Sequence, residues 1–364
     1  MVYEQKIECA ERAAEMLGSL EPIDSIFAGG SLTAGLGNIT SDVDLFLLVK
    51  DKTQFEETWQ SIDRGNRIDV EVYTLDELGQ ALRESCETKF APARSGIVRD
   101  LEQSLDLVSR FAYARVLKQS NALFELQNYL KERFNNFLSV MVNYWALDVE
   151  AAKEDFIGAA YEQDYGSAVF SGQAMVAAAG KQMAASWGKC YFSKKWVYKQ
   201  LVQLGLKERA LDYYVEMQRG SWRSLGSEGA VALLNYTQAL QALSHLKLNG
   251  INIGNDGLLW CKAGEPGAGR YYRHPGYGVF SIDEKALLHW ELHKDVTLSM
   301  RMLALWTICQ GKNDEEILAE ILETPVVTEL FGEMSLDRLH GMLQTLEKAG
   351  LVSKQAFVLR DIVC

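Results

Sequence analysis

Gly29-Gly30-Ser31, ten intervening residues, then Asp42-Val43-Asp44 at the head of the apolar run Leu45 to Val49 is the stretch on which this chain turns. Two carboxylates at i and i+2 on a strand point to one face, because successive side chains alternate. The glycine-serine pair upstream offers open backbone N–H groups and a hydroxyl, both suited to phosphate oxygens. Taken singly, an Asp-x-Asp is ordinarily the wet side of an amphipathic strand, and a Gly-Gly-Ser is ordinarily a turn. Their order carries the information: strand (Ser25 to Ala28), turn, loop, strand opening on two acids. That order describes a seat for a metal-bound nucleoside triphosphate.

A third acid follows. Arg67-Ile68-Asp69-Val70-Glu71-Val72-Tyr73 alternates, with Ile68, Val70 and Val72 on one face and Asp69, Glu71 and Tyr73 on the other. If this strand lies beside the one carrying Asp42 and Asp44, their carboxylates converge and repel unless a cation neutralises them. Mg²⁺ takes hard oxygen ligands and bridges substrate phosphates. Two such ions activate an attacking oxygen and steady departing pyrophosphate.

On Gly29-Gly30-Ser31, Gly35, Ser41-Asp42-Val43-Asp44-Leu45 and Ile68-Asp69-Val70, the chain resembles the DNA polymerase β-like nucleotidyltransferase superfamily, over roughly residues 20–80. The resemblance implies transfer of a nucleoside monophosphate from an NTP to an acceptor, with release of pyrophosphate. It further implies that Asp42 and Asp44 hold two Mg²⁺ ions (Mn²⁺ being the alternative). By the same likeness Asp69 holds the catalytic metal and helps activate the acceptor, and Ser31, with Gly30, meets the triphosphate. Glu71 shares the face of Asp69 and stays open as the third ligand or as an acceptor-side acid.

A second stretch runs through Asp155-Phe156-Ile157-Gly158, Gly188-Lys189 and Lys194-Lys195-Trp196. It resembles the C-terminal helical domain of antibiotic or small-molecule-type nucleotidyltransferases. That likeness implies a phosphate contact from Lys195, with Lys189 and Lys194 as further cations, and an acceptor-facing acid at Asp155. On the residues alone, these lysines also suit helix ends or solvent.

The 364 residues suffice for two or three domains. A net charge of −12 argues against general nucleic-acid binding, which needs a basic footprint. Residues 1–100 hold 10 Lys/Arg against 19 Asp/Glu, so the acid is concentrated where the site is expected. A small-molecule or peptide acceptor is favoured. No apolar run approaches a membrane span, and the first residues show no basic-then-apolar export pattern. The six cysteines have neither zinc nor disulfide spacing, which fits a cytoplasmic protein.

The expected fold is α+β: a mixed-sheet catalytic domain at 1–99, a helical bundle over the nucleotide at 100–248, and a strand and loop segment with a winged-helix-like domain at 249–364. Ile7, Ala10, Ala14 and Leu17 predict a first helix, and Thr74 with Glu77 a capping box. Pro92 to Ser95 marks a boundary, after which the pattern reads as helical up to residue 248. Tyr144, Trp145, Tyr161, Tyr165 and Phe170 are core aromatics or base-stacking candidates. Glycines from 250 to 278 indicate loops, and Leu288, Trp290 and Leu292 a strand carrying exposed His289 and His293. Helices are expected at Met302 to Cys309, Asp314 to Leu322 and Leu336 to Ala349, with a Gln310-Gly311-Lys312 turn, an Asn313 N-cap and a Gly350 C-cap. The last of these helices is not basic, which favours peptide or protein contact over DNA. The readings kept beside a metabolite-modifying enzyme are a protein AMP-transferase and a nucleotide-sensing protein without turnover.

Overall fold

The computed structural model describes residues 2–20, 22–90, 98–253, 269–282, 284–290 and 293–363. The boundary expected at Pro92 to Ser95, Gly254 through Gly267 with Pro266, and Leu292 lie outside them. The chain divides into two compact units, one formed by Met1–Met141 with Cys190–Lys199, the other by Val142–Lys189 with Gln200–Cys364.

The first unit is built on a mixed five-stranded sheet of order β3-β4-β2-β1-β5. Its elements are α1 (Val2–Gly18), β1 (Ile23–Gly29), α2 (Gly30–Thr33), β2 (Val43–Val49), β3 (Thr58–Asp63), β4 (Asn66–Thr74), α3 (Leu75–Glu87), α4 (Val98–Ala112), β5 (Arg115–Lys118) and α5 (Asn121–Glu132). Only β2 and β4 run parallel; the other neighbours are antiparallel. Alternation sorts the side chains to two faces. Val43, Leu45, Leu47 and Val49 join Ile68, Val70 and Val72 in a core against Ile7, Ala10, Ala13 and Ala14 of α1. The opposite face stacks Phe27 on Phe46 at 4.8 Å and meets Phe111 of α4 at 5.4 Å. Apolar on both sides, β2 is fixed in register, so its acidic head is aimed by the buried residues behind it.

The expected capping box forms, Thr74 accepting from the Glu77 N–H while the Glu77 carboxylate accepts from the Thr74 N–H. The helical reading of Arg115 and Val116 is corrected. They form β5, whose Val116 pairs with Phe27 and satisfies the outer edge of β1. An open sheet edge outweighed helical spacing.

The second unit takes α6 (Phe134–Tyr161) from Val142 onward, then α7 (Tyr165–Ser186), the last residues of α8 (Val197–Gln203), α9 (Glu208–Gln218) and α10 (Gly226–Leu248). Tyr144 and Trp145 are buried here, whereas Tyr161 and Phe170 are exposed. Gly172 lets α7 lie against Leu233 of α10 and Phe156 of α6. Two three-stranded sheets follow. One sets β6 (Tyr271–Arg273) between β10 (Gln310–Lys312) and β11 (Val352–Ser353); the other runs β7 (Gly278–Ile282), β8 (Lys285–His289), β9 (Val296–Leu298). The terminal helices are α11 (Met300–Ile308), α12 (Asp314–Glu323), α13 (Pro325–Phe331), α14 (Leu336–Lys348) and α15 (Leu359–Val363).

Asn313 caps α12 in a capping box, and Gly350 takes a left-handed φ of 72° just beyond α14. Three expectations are corrected. Gln310 to Lys312 is strand β10, because its backbone pairs with β6. Strand β8 stops at His289, short of the predicted run to Leu292. His289 is half-buried, and its Nδ1 lies 2.6 Å from Asp295 Oδ1; His293 is exposed, its ring edge-on to His274 at 5.1 Å. No described helix is long and apolar enough to cross a membrane.

Candidate active site

The glycines come first, because they let the site close. Gly30 has φ +79°, and a Cβ there would collide with the Asp44 carboxylate. A Cβ on Gly29 would stand 2.7 Å from the Phe46 ring. The turn thus lies directly on β2, with no side chain between Gly30 and the second acid. Ser31 is buried one residue on, and its carbonyl accepts from the Leu36 and Gly37 N–H groups at 2.9 and 2.8 Å.

The loop between serine and acids is held from two sides. Lys6 of α1 donates to the carbonyls of Ile39, at 2.9 Å, and Ser41. Lys199 donates to the Leu36 carbonyl at 2.7 Å, with its Nζ 4.8 Å from the centre of the Trp196 ring. Asn38 Oδ1 accepts from the Thr40 N–H at 3.0 Å and closes the turn that delivers Asp42.

Asp44 and Asp69 are register partners across the parallel β2–β4 pair. Asp42 stands just before β2. A ligand oxygen from each of Asp42, Asp44 and Asp69 lies within 4.8 Å of the others, and all three residues are half-buried. Arg67 pairs with Asp42, and its Nε lies 3.3 Å from Asp69 Oδ1. From α4, Arg110 reaches Glu71 at 2.9 Å, Asp106 at 2.8 Å and Asp44 at 3.8 Å. Glu71 also accepts from the Tyr73 hydroxyl at 2.9 Å. The sheet therefore separates the two candidates for third ligand: Asp69 stands with the pair, and Glu71 with Arg110 and Tyr73.

Electrostatics follow from this crowding. Burial, reinforced by Asp42, Glu71 and Asp69 and opposed by Arg110, pushes the Asp44 carboxyl up to about 7. Burial and the neighbouring Asp42 raise Asp69 as well. For Asp42, burial works upward, but hydrogen bonds from Arg67 and Asp69 hold its carboxyl below the ordinary value. Asp69 Oδ1 is sealed from solvent and, beside its 3.3 Å ion pair with Arg67, accepts no hydrogen bond among the described residues. Hard oxygen donors converging with too little positive charge are the donor set that Mg²⁺ or Mn²⁺ takes. The residues fit such an ion.

Lys195 belongs to the same unit as the acids, exposed on a 3₁₀ turn (Lys194–Trp196) with Nζ 5.4 Å from the Trp196 ring centre. Lys189 and Asp155 belong to the second unit; Asp155 is exposed on α6, and the Lys189 carbonyl accepts from Gln200 Nε2 at 2.7 Å. Sequence reading missed Arg110, Arg67, Lys6 and Lys199. The i,i+4 spacing of Asp106 and Arg110 was the available signal for the first. The lysines bind backbone carbonyls, for which no sequence pattern exists.

Residues 10–94 match the family described as nucleotidyltransferase domain. No curated protein matches the chain. Among solved structures, it is similar to a nucleotidyltransferase-like protein from Exiguobacterium sibiricum 255-15, at 14% identity over 70% of this chain and 78% of that one, with a TM-score of 0.31. So loose a superposition bears on nothing further. The family match falls on the segment holding the glycine turn and all three clustered acids. Residues 10–94 therefore carry a nucleotidyltransferase domain, consistent with the resemblance to the DNA polymerase β-like superfamily.

Proposed function

We propose that the protein is a divalent-metal-dependent nucleotidyltransferase. In this reading it moves a nucleoside monophosphate from an NTP to a small-molecule or peptide acceptor and releases pyrophosphate. The observation that carries it is the convergence of Asp42, Asp44 and Asp69 inside a matched nucleotidyltransferase domain. Asp42 and Asp44 would hold Mg²⁺ jointly, with Asp69 as the third ligand on the acceptor side. When bound, Mg²⁺ supplies charge neutralisation for the phosphates and for the oxygen leaving with pyrophosphate. Gly30 and Ser31 present the backbone turn to the triphosphate, and Lys195 offers an exposed cation from the same unit. Lys189 and Asp155 keep secondary roles as phosphate cation and acceptor-side acid.

The chemistry is an in-line displacement. The acceptor's oxygen or nitrogen bonds to the α-phosphorus as the bond to the bridging oxygen breaks, and pyrophosphate leaves with that electron pair. In this reading Asp69, as the third ligand on the acceptor side, helps draw off the acceptor's proton.

The test is pyrophosphate release from each of the four NTPs with Mg²⁺ and a small-molecule extract, followed by mass spectrometry of the adduct. Release that depends on Mg²⁺ and disappears in the Asp42→Asn/Asp44→Asn double variant supports the reading. Equal release from the double variant refutes it.

A further inference from the structure

The loop between the glycine turn and Asp42 hangs, at its first end, on one peptide group. The Leu36 carbonyl accepts from the Lys199 ammonium at 2.7 Å, and the N–H of that same peptide, on Gly37, donates to the Ser31 carbonyl at 2.8 Å. The Leu36 N–H adds a second bond to Ser31 at 2.9 Å, and the Gly37 carbonyl stands 3.4 Å from the ammonium. A positive charge thus heads a hydrogen-bond chain that runs from the ammonium through the Leu36–Gly37 peptide to the Ser31 carbonyl. Each bond in such a chain polarises the next. The peptides are trans and planar, so drawing the Ser31 carbonyl into the loop turns the N–H of its own peptide, on Leu32, the opposite way.

Neighbouring residues fix where that charge stands. Lys199 belongs to the segment Cys190–Lys199 of the first unit. The Cys190 N–H donates to the Tyr113 hydroxyl and the Phe192 N–H to Ser109 Oγ of α4, both at 3.1 Å. Tyr191 and Trp196 of the same segment pack with Ala34 and Leu36. Lys199 Nζ lies 4.8 Å from the centre of the Trp196 ring, and both of its hydrogen bonds among the described residues go to the loop. The loop has little slack on its other side, since a Cβ on Gly37 would stand 3.2 Å from the Leu32 backbone. An exposed lysine gives up rotamer freedom to keep such a place, so the bonds it makes must outweigh that loss.

We propose that Lys199 is a positioning residue for nucleotide binding: through the Leu36–Gly37 peptide it fixes the Ser31 carbonyl, and with it the glycine-serine turn, in the conformation that receives the triphosphate. The role rests on the nucleotidyltransferase reading; the chain of hydrogen bonds stands without it. Lys199 is engaged by carbonyls and acts through the loop, whereas Lys195, four residues earlier, is the cation offered to the nucleotide. Loss of Lys199 releases the Leu36–Gly37 peptide to rotate. The turn then samples other conformations, and a nucleotide binds only after ordering it again.

Two measurements on the full-length protein and its Lys199→Met and Lys199→Arg variants test this, with Lys199→Gln replacing the methionine variant if that one does not melt cooperatively. The first is amide hydrogen exchange without nucleotide. Exchange at Leu36 and Gly37 should quicken about three- to tenfold in Lys199→Met, the loss of about one hydrogen bond, and lie closer to the original rate in Lys199→Arg, which keeps a charged donor. The second is calorimetric titration with each of the four NTPs and Mg²⁺. Affinity should fall by a similar factor of about three to ten in Lys199→Met and recover in Lys199→Arg. Unchanged exchange overturns the proposal even if NTP binding weakens, because a lysine that simply touched phosphate would leave the nucleotide-free loop as it was. Faster exchange with unchanged NTP affinity also overturns it and makes Lys199 a structural clamp alone, as does an arginine variant no better than methionine in both measurements. An unaltered protein that binds none of the four NTPs removes the nucleotidyltransferase reading together with this role. NTP binding that Lys199→Met leaves untouched removes the role alone.

Discussion

Arg110 Nη1 stands 2.9 Å from Glu71 Oε1 and 3.8 Å from Asp44 Oδ1, so one guanidinium serves two carboxylates on neighbouring strands. It arrives from α4, which lies beyond the matched domain, and lies 5.9 Å from the centre of the Phe46 ring. Replacing it with methionine leaves Glu71, Asp44 and Asp106 short of charge in a half-buried place. We expect Arg110→Met to cost about 1–3 kcal/mol, read by urea denaturation. Arg110→Lys should recover only part, since a point charge cannot fork between several partners.

Asp44→Asn separates site from scaffold. Removing a crowded negative charge should leave metal-free stability unchanged or raise it, while Mg²⁺ loses its stabilising effect. Thermal melts with EDTA and with Mg²⁺ read both quantities. A large loss of metal-free stability would mean that Asp44 is structural.

The pH dependence has a definite sign. Asp44 has a folded pKa of about 7 against an ordinary 3.8, so between those values the folded state holds a proton that the unfolded chain has lost. Metal-free stability should therefore fall as pH rises through that window. Asp69 is shifted in the same direction, whereas Asp42, shifted down, contributes stability above its ordinary value that is lost in acid. Because Mg²⁺ competes with the Asp44 proton, its stabilising effect should grow from pH 5 to pH 8. Denaturation curves across that range, with and without Mg²⁺, measure the slope and its sign.

Gly30→Ala combines a left-handed backbone with a direct collision against Asp44. A cost of about 2–4 kcal/mol is expected, together with weakened Mg²⁺ binding, because relief of the clash moves the carboxylate. Gly65→Ala, also at positive φ but in open space, is the control and should cost about 1 kcal/mol.

The sheet that bears the clustered acids was legible because its signals are local. Alternation in Arg67 to Tyr73 fixed which side chains share a face, and parallel register then set Asp69 beside Asp44. The capping boxes at Thr74 and Asn313 were readable for the same reason: donor and acceptor stand three residues apart. What stayed hidden was decided between distant segments. Strand β5 exists because β1 needs a partner, and Arg110 is informative only once α4 lies on the sheet. The choice of Asp69 over Glu71 in the cluster depended on where that arginine would arrive.

Helix α4 and strand β5 both follow residue 94, yet they cover Phe27 and Phe46 and close the rim of β1. A fragment trimmed to the recognisable motif would keep all three clustered acids and still expose a greasy sheet and a bare strand edge. Such a piece should self-associate rather than work. The unit that can be cloned, transplanted or inherited intact is thus larger than the signature by which it is recognised.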